Sequence, residues 1–236
     1  MSGIQENLIR IRQRIEEAAK SAGRDSAEVR LLAVSKTFPA ADVETAWREG
    51  GQVRFGENRV QELEAKAPVL PPEIEWHLIG HLQNNKVRAA LKFARWIHSV
   101  DCLPLYERIL RIAAEEGAAP KLLLEVNVSG EESKFGMKPA EADALLQAAV
   151  ANGNGPAHVV GLMTMAPAEA DAATLHAIFG GLRQLRDRLQ DAYGLPLPEL
   201  SMGMSGDFEA AIAEGATIVR VGSAIFGRRD YAAEAR

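Results

Sequence analysis

Eight short apolar runs, separated by amphipathic stretches of helical period, constrain this chain more than any other feature. They fall at residues 31–35, 53–56, 76–80, 96–100, 122–128, 158–163, 199–202 and 217–221. Short runs of this kind, rich in leucine and β-branched residues, suit parallel strands covered on both faces. Helical patterns lie between them, over 41–49, 60–66, 85–94, 103–116, 139–151, 168–193 and 207–214. Pro39 and Pro139 sit near helix starts, where a missing N–H costs little. Gly50, Gly117 and Gly215 sit where helices should stop. Residues 6–22 read as an extra helix before the first strand. No Pro/Gly/Ser-rich linker divides the chain, and the uneven period argues against a solenoid. Eight successive βα units in one domain, residues 1–236, predict an α/β fold of the (β/α)8 TIM-barrel type. An open doubly wound sheet would need a glycine-rich first turn, and Val34-Ser35-Lys36-Thr37-Phe38-Pro39 contains no glycine.

Composition narrows the function classes. With 27 basic and 32 acidic residues the formal net charge is −5, which argues against a nucleic-acid binder driven by bulk charge. The single cysteine, Cys102, allows no intramolecular disulfide and fits a reducing compartment. The start, MSGIQENLIRIRQRIEE, has no apolar core after a basic cluster, and no run of 18 apolar residues occurs. The expectation is a soluble cytoplasmic protein that engages neither nucleic acid nor membrane.

In such a barrel, chemistry sits at the C-terminal ends of strands and in the loops that follow. That rule selects Lys36, Glu57, Asn58, His81, Ser99, Asp101, Asn127, Met163, Thr164, Ser201 to Ser205 and Arg220 to Ser223. Lys36 ends an apolar run, so its ammonium should emerge into the barrel mouth. Poor solvation there would favour the neutral amine that attacks an aldehyde; the alternative is a lysine that merely snorkels from a strand end. Arg220 interrupts the last apolar run. A buried guanidinium cannot shed its charge and needs a partner, either a carboxylate across the barrel or a ligand acceptor. The turns Ser201-Met202-Gly203-Met204-Ser205-Gly206-Asp207 and Val221-Gly222-Ser223-Ala224 follow the last two strands. Their amides and hydroxyls, aided by helix dipoles, could cradle a phosphate where barrels often bind one. Tight turns alone would also explain the glycines.

Other features point elsewhere. His77 and His81 are four apart, but the segment reads as a strand, and no metal site is expected. No Gly-x-Ser-x-Gly elbow occurs, and Cys102 lacks the setting of a nucleophile. Met163, Met165, Met202 and Met204 read as packing at the mouth. The constellation is therefore a lysine after strand one, an arginine on strand eight and a phosphate cradle between them. It fits an aldehyde that carries a phosphate, such as pyridoxal 5′-phosphate or the sugar phosphates of class I aldolases.

At these residues the chain resembles the pyridoxal phosphate homeostasis proteins over nearly its whole length. The carriers are Ala33-Val34-Ser35-Lys36-Thr37, Phe55-Gly56-Glu57-Asn58-Arg59-Val60-Gln61-Glu62 and Trp76-His77-Leu78-Ile79-Gly80-His81-Leu82-Gln83-Asn84-Asn85-Lys86. Further on they are Ser133-Lys134-Phe135-Gly136, Gly161-Leu162-Met163-Thr164-Met165, Leu200-Ser201-Met202-Gly203-Met204-Ser205-Gly206-Asp207 and Arg220-Val221-Gly222-Ser223-Ala224-Ile225-Phe226-Gly227. The resemblance implies a barrel like the N-terminal domain of alanine racemase, with pyridoxal phosphate held as a Schiff base on Lys36. It implies Arg220 facing the pyridine nitrogen, Ser205, Gly222 and Ser223 on the phosphate, Asn58 near the ring and Ser201 as a neighbour. It also implies a monomer that binds and supplies the cofactor within vitamin B6 balance, with pyridoxal-phosphate-requiring apoenzymes as partners.

Elementary chemistry agrees with weak or absent catalysis. The cofactor is the stronger electron sink when a carboxylate keeps its pyridine nitrogen protonated, and a cation at Arg220 would disfavour that proton. Racemisation also needs a second acid/base on the opposite ring face, which the racemases supply from a separate domain. The eighth unit is expected to finish near Gly227, so no such domain is expected here. A pyridoxal-phosphate enzyme of narrow range on amino acids, a class I aldolase and a ligand-free interaction scaffold are the competing readings. Lys134 is either a second cofactor contact or a solvated loop lysine, and the Arg228-Arg229 doublet reads as a solvated end.

Overall fold

Eight parallel strands close into one barrel in sequence order, each hydrogen-bonded to the next and the last to the first. The chain is seen in a computed structural model that describes residues 2–131, 135–151 and 158–227. Lys134 and the Arg228-Arg229 doublet lie outside the described residues. The strands are β1 (Arg30–Val34), β2 (Arg54–Glu57), β3 (Glu75–Leu78), β4 (Ala94–Val100), β5 (Lys121–Glu125), β6 (Val159–Met163), β7 (Glu199–Ser201) and β8 (Ile218–Val221). Closure runs through the β1–β8 register, where Leu32 stands opposite Arg220 and Ala33 opposite Val221. The expected (β/α)8 barrel is the fold.

The helices are α1 (Gly3–Ser21), α2 (Ala40–Arg48), α3 (Val60–Lys66), α4 (Val87–Leu91), α5 (Leu103–Glu116), α6 (Pro139–Ala151), α7 (Ala172–Tyr193), α8 (Phe208–Ala213) and α9 (Ser223–Phe226). The extra helix α1 is capped by Ser2, whose hydroxyl accepts the Gln5 amide. It buries Leu8, Ile11, Ile15 and Ala19, a stripe at spacings of three and four, against α2, α8 and α9.

Three local expectations are corrected. The helix expected over 85–94 is a 3-10 turn at Asn84–Lys86 followed by the short α4, and Ala94 already belongs to β4. Gly51, not Gly50, takes the left-handed conformation after α2, at φ 60°. Gly50 has a different reason: a Cβ there would lie 2.3 Å from Leu8 Cδ1. The helices after β7 and β8 span only six and four residues, too short for a substantial dipole.

Most of the apolar core lies between the strands and the surrounding helices. A smaller cluster of Leu32, Trp96, Leu123, Met163 and Ile218 fills the barrel interior. Polar side chains share that interior: His77, His98, Ser201 and Arg220 are all buried. Ion pairs stand at the N-terminal end, Arg30 with Glu199 and Arg54 with Glu75. The C-terminal end opens into a cavity.

Candidate functional site at the barrel mouth

The cavity at the C-terminal end has a volume of about 610 Å³. Lys36, Asn58, Ser205, Arg220, Gly222 and Ser223 all line it, together with Glu125, His81, Phe135 and Met165. Of the seven residues that the resemblance assigns to the cofactor, only Ser201 does not line it. Ser201 is fully buried behind Arg220 and accepts a hydrogen bond from its Nη1 at 2.7 Å. The cavity continues outward into a groove of about 1500 Å³, which shares Lys36, Asn58, His81, Gly222 and Ser223 with it.

Lys36 leaves the end of β1 and is exposed at the mouth, so the poor solvation expected for it is not supplied by the protein. Its backbone is held firmly all the same. Thr37 has φ 69°, an uncommon conformation for a β-branched residue, and its amide donates to Glu62 Oε2 at 2.6 Å. Lys66, on α3, reaches under the loop. Its Nζ donates to the Ser35 carbonyl at 2.9 Å, to Glu57 Oε1 at 2.7 Å and to Glu62 Oε2 at 3.2 Å. The Ser35 hydroxyl donates to the same Glu57 oxygen at 2.7 Å. Both neighbours of Lys36 are thereby tied to one buried charge cluster. Burial drives the Glu57 carboxyl up to about 7 against the pull of Lys66. Burial would raise Glu62 as well, but the Thr37 amide and the hydrogen-bonded cluster hold it below its ordinary value.

Arg220 is the second fixed group. Its Nη1 donates to the Ser201 carbonyl at 2.8 Å as well as to the hydroxyl, and its Nη2 donates to the Thr164 carbonyl at 2.9 Å. The guanidinium carries five N–H groups. Its Nε–H and one Nη2–H have no acceptor among the described residues. Desolvation lowers Arg220 to about 10, which leaves it charged at neutral pH.

The turns after the adjacent strands β7 and β8 both line the cavity. The amides of Ser205, Gly206, Ser223 and Ala224 donate to no carbonyl or side chain among the described residues. Backbone in the first turn is shaped by Gly203 at φ 90°, where a Cβ would lie 2.8 Å from Phe208 Cα. Asp207 fixes the turn by accepting the Met204 amide at 2.5 Å. In the second turn, a Cβ on Gly222 would meet the Val34 carbonyl oxygen at 3.0 Å, so β8 and β1 approach closely only because no side chain intervenes. The result is a cluster of free amides and two serine hydroxyls with the chemistry of an anion cradle. It rests on amides, not on the helix dipoles expected from the sequence.

Glu125 was not singled out by sequence. It ends β5, is 3 % exposed and lines the cavity. Burial, reinforced by Asp101 and opposed by Arg220, raises its carboxyl to about 7. One acidic residue inside Leu122-Leu123-Leu124-Glu125-Val126 was the available signal. Other candidates have partners within the protein. Asn127 accepts from Ser129 and the Gly130 amide and donates to Glu131. Ser99 donates to the Gly80 carbonyl at 2.7 Å. His81 pairs with Asp101 at 3.1 Å and stacks on Phe135.

A lysine amine, a guanidinium with two N–H groups unpaired among the described residues and an anion cradle in one cavity match the donor set that a phosphorylated pyridine aldehyde requires. Comparison with known proteins bears on the same group. Residues 7–230 match the model of the alanine racemase N-terminal domain. The pyridoxal phosphate homeostasis protein of Pseudomonas aeruginosa is 46% identical over 237 residues, covering 100% of both chains. This chain belongs to the pyridoxal phosphate homeostasis protein family. Another homologue, PipY of Synechococcus elongatus, solved with PLP bound, is 43% identical over 91% of this chain and 100% of its own, with a TM-score of 0.77. Alanine racemase of Clostridium difficile, at 16% identity and a TM-score of 0.71 over 95% of this chain and 57% of its own, shares the fold.

Proposed function

We propose that this chain binds pyridoxal 5′-phosphate at the barrel mouth and acts in its homeostasis and supply, without racemising amino acids. The observation that carries the reading is the convergence of Lys36, Arg220, Ser205 and Ser223 on one cavity. Lys36 would hold the cofactor covalently through its amine. The free N–H groups of Arg220 would donate to the ring nitrogen. Ser205, Gly222 and Ser223 would hold the phosphate, with Asn58 beside the ring and Ser201 fixing the arginine from behind. Bound pyridoxal phosphate supplies a reactive aldehyde carbon and an electron sink.

The residues present favour holding over turnover. Arg220 donates and carries a charge, so it opposes a proton on the ring nitrogen where a carboxylate would keep one. The broad opening through the outer groove would let ligand enter and leave, as supply requires. We read the protein as a cytoplasmic monomer whose further partners are pyridoxal-phosphate-requiring apoenzymes. Among the described residues no helix is long and apolar enough to cross a membrane.

Titration of the purified protein with pyridoxal phosphate, alongside an assay for conversion of L-alanine to D-alanine, tests this. Stoichiometric uptake without turnover is expected. Turnover by wild-type protein that is lost in Lys36→Ala would replace the carrier reading with an amino-acid enzyme.

A further inference from the structure

Behind Arg220 an unbroken chain of polar contacts crosses the barrel interior. The Ser201 hydroxyl, which accepts from Arg220 Nη1, lies 2.9 Å from His98 Nδ1. His98 Nε2 lies 2.9 Å from His77 Nδ1, and His77 Nε2 lies 3.2 Å from Glu75 Oε1. Both imidazoles are buried, and His77 is stacked on Trp96 with ring centroids 5.1 Å apart. Glu75, at the N-terminal end of β3, reaches partial exposure beside Arg54, 3.3 Å away. The chain thus runs from the ligand cavity to the opposite face of the barrel.

Its two ends dictate its direction. A guanidinium can only donate, so the Ser201 oxygen accepts from Arg220 and its own hydrogen goes to His98 Nδ1. His98 then carries its proton on Nε2 and donates to His77 Nδ1. His77 in turn carries its proton on Nε2 and donates to the Glu75 carboxylate. The reverse direction would set an imidazole lone pair against a carboxylate and leave the Ser201 hydrogen without an acceptor. Burial lowers the pKa of both histidines, and His98 is lowered further by His77, Arg220 and Arg30. The hydrogen bond from His77 leads in holding Glu75 down, to about 2.

We infer that Glu75, His77 and His98 are positioning residues for Arg220. Together they form a one-directional hydrogen-bond relay that keeps the Ser201 lone pair, and not its hydrogen, turned toward the guanidinium. That arrangement orients the uncommitted N–H groups of Arg220 into the cavity. The relay is a property of the ligand-free chain; its effect on ligand rests on the proposed binding of pyridoxal phosphate.

The test is solution NMR of ligand-free protein with ¹⁵N-labelled histidine. His77 and His98 should both be neutral Nε2–H tautomers at neutral pH. Glu75→Ala should mix the tautomers of His77 and His98. Glu75→Gln keeps an acceptor oxygen and should preserve them. In the same variants, pyridoxal phosphate affinity should fall about fivefold to tenfold for Glu75→Ala, the scale of one lost polarised hydrogen bond, and be largely restored in Glu75→Gln. Glu75 is partly exposed, so both variants should fold. An Nδ1–H tautomer or an imidazolium at either histidine, or tautomers unmoved by Glu75→Ala, would overturn the relay. Correct tautomers in a protein that binds no pyridoxal phosphate would overturn the binding proposal instead and leave the relay standing.

Discussion

Lys66 Nζ stands 2.9 Å from the carbonyl oxygen of Ser35, the residue that immediately precedes Lys36. A buried amine on α3 therefore fixes the backbone that presents an exposed amine at the barrel mouth. The two lysines divide the work. Lys66 meets Glu57, Glu62 and the Ser35 carbonyl, and Lys36 stays free for chemistry.

Removing Lys66 leaves the buried Glu57 carboxyl without its cation. Lys66→Met should lower stability in urea by about 3–5 kcal/mol, the usual scale for one partner removed from a buried pair. Lys66→Met combined with Glu57→Gln should recover a large part of that loss. Full additivity of the two substitutions would contradict the coupling.

Glu125 gives the stability a pH dependence. Its carboxyl titrates near 7 in the folded chain against 4.5 when exposed. The folded state therefore binds the proton more tightly than the unfolded state. The stability this proton contributes is present in acid and is lost as the pH rises from about 4.5 through 7. Compared with Glu125→Gln, the wild type should lose up to about 3 kcal/mol between pH 5 and pH 8. Paired urea titrations across that range would show it, and a constant difference would refute it.

Gly203 adopts φ 90°, and a Cβ there would lie 2.7 Å from Ala211 Cβ. Gly203→Ala should cost about 2–4 kcal/mol through strain and overpacking together. Because this turn carries Ser205, phosphate-dependent binding should weaken as well. Thermal unfolding with and without pyridoxal phosphate reads both effects.

The cradle hydroxyls should matter to the phosphate alone. Ser205→Ala and Ser223→Ala should each weaken pyridoxal phosphate binding by roughly tenfold to a hundredfold, the range for a hydrogen bond to a charged group. Neither should alter affinity for unphosphorylated pyridoxal. Equal losses for the two ligands would remove these serines from the phosphate site.

The barrel was legible because its strands are buried on both faces and so stand out as apolar runs. Lys36 and Arg220 were legible because a charge at the end of, or within, such a run needs a reason. Glu125 met the same criterion but passed as one position in a leucine-rich strand. His98 and His77 read as ordinary strand residues, since their meeting depends on which face of β3 and β4 lines the interior. The Gly50-Gly51 doublet marked the end of α2 without showing which glycine turns left-handed. The helix over 207–214 was legible as α8, but its six residues and the four of α9 give little dipole to a bound anion.

The most direct measurement is the visible spectrum of the protein equilibrated with pyridoxal phosphate, before and after borohydride, followed by peptide mapping. The account predicts a yellow protein that bleaches on reduction, with the pyridoxyl mass on Lys36 and no label in Lys36→Ala. A colourless protein that takes up no pyridoxal phosphate, or a label confined to another lysine, would contradict it.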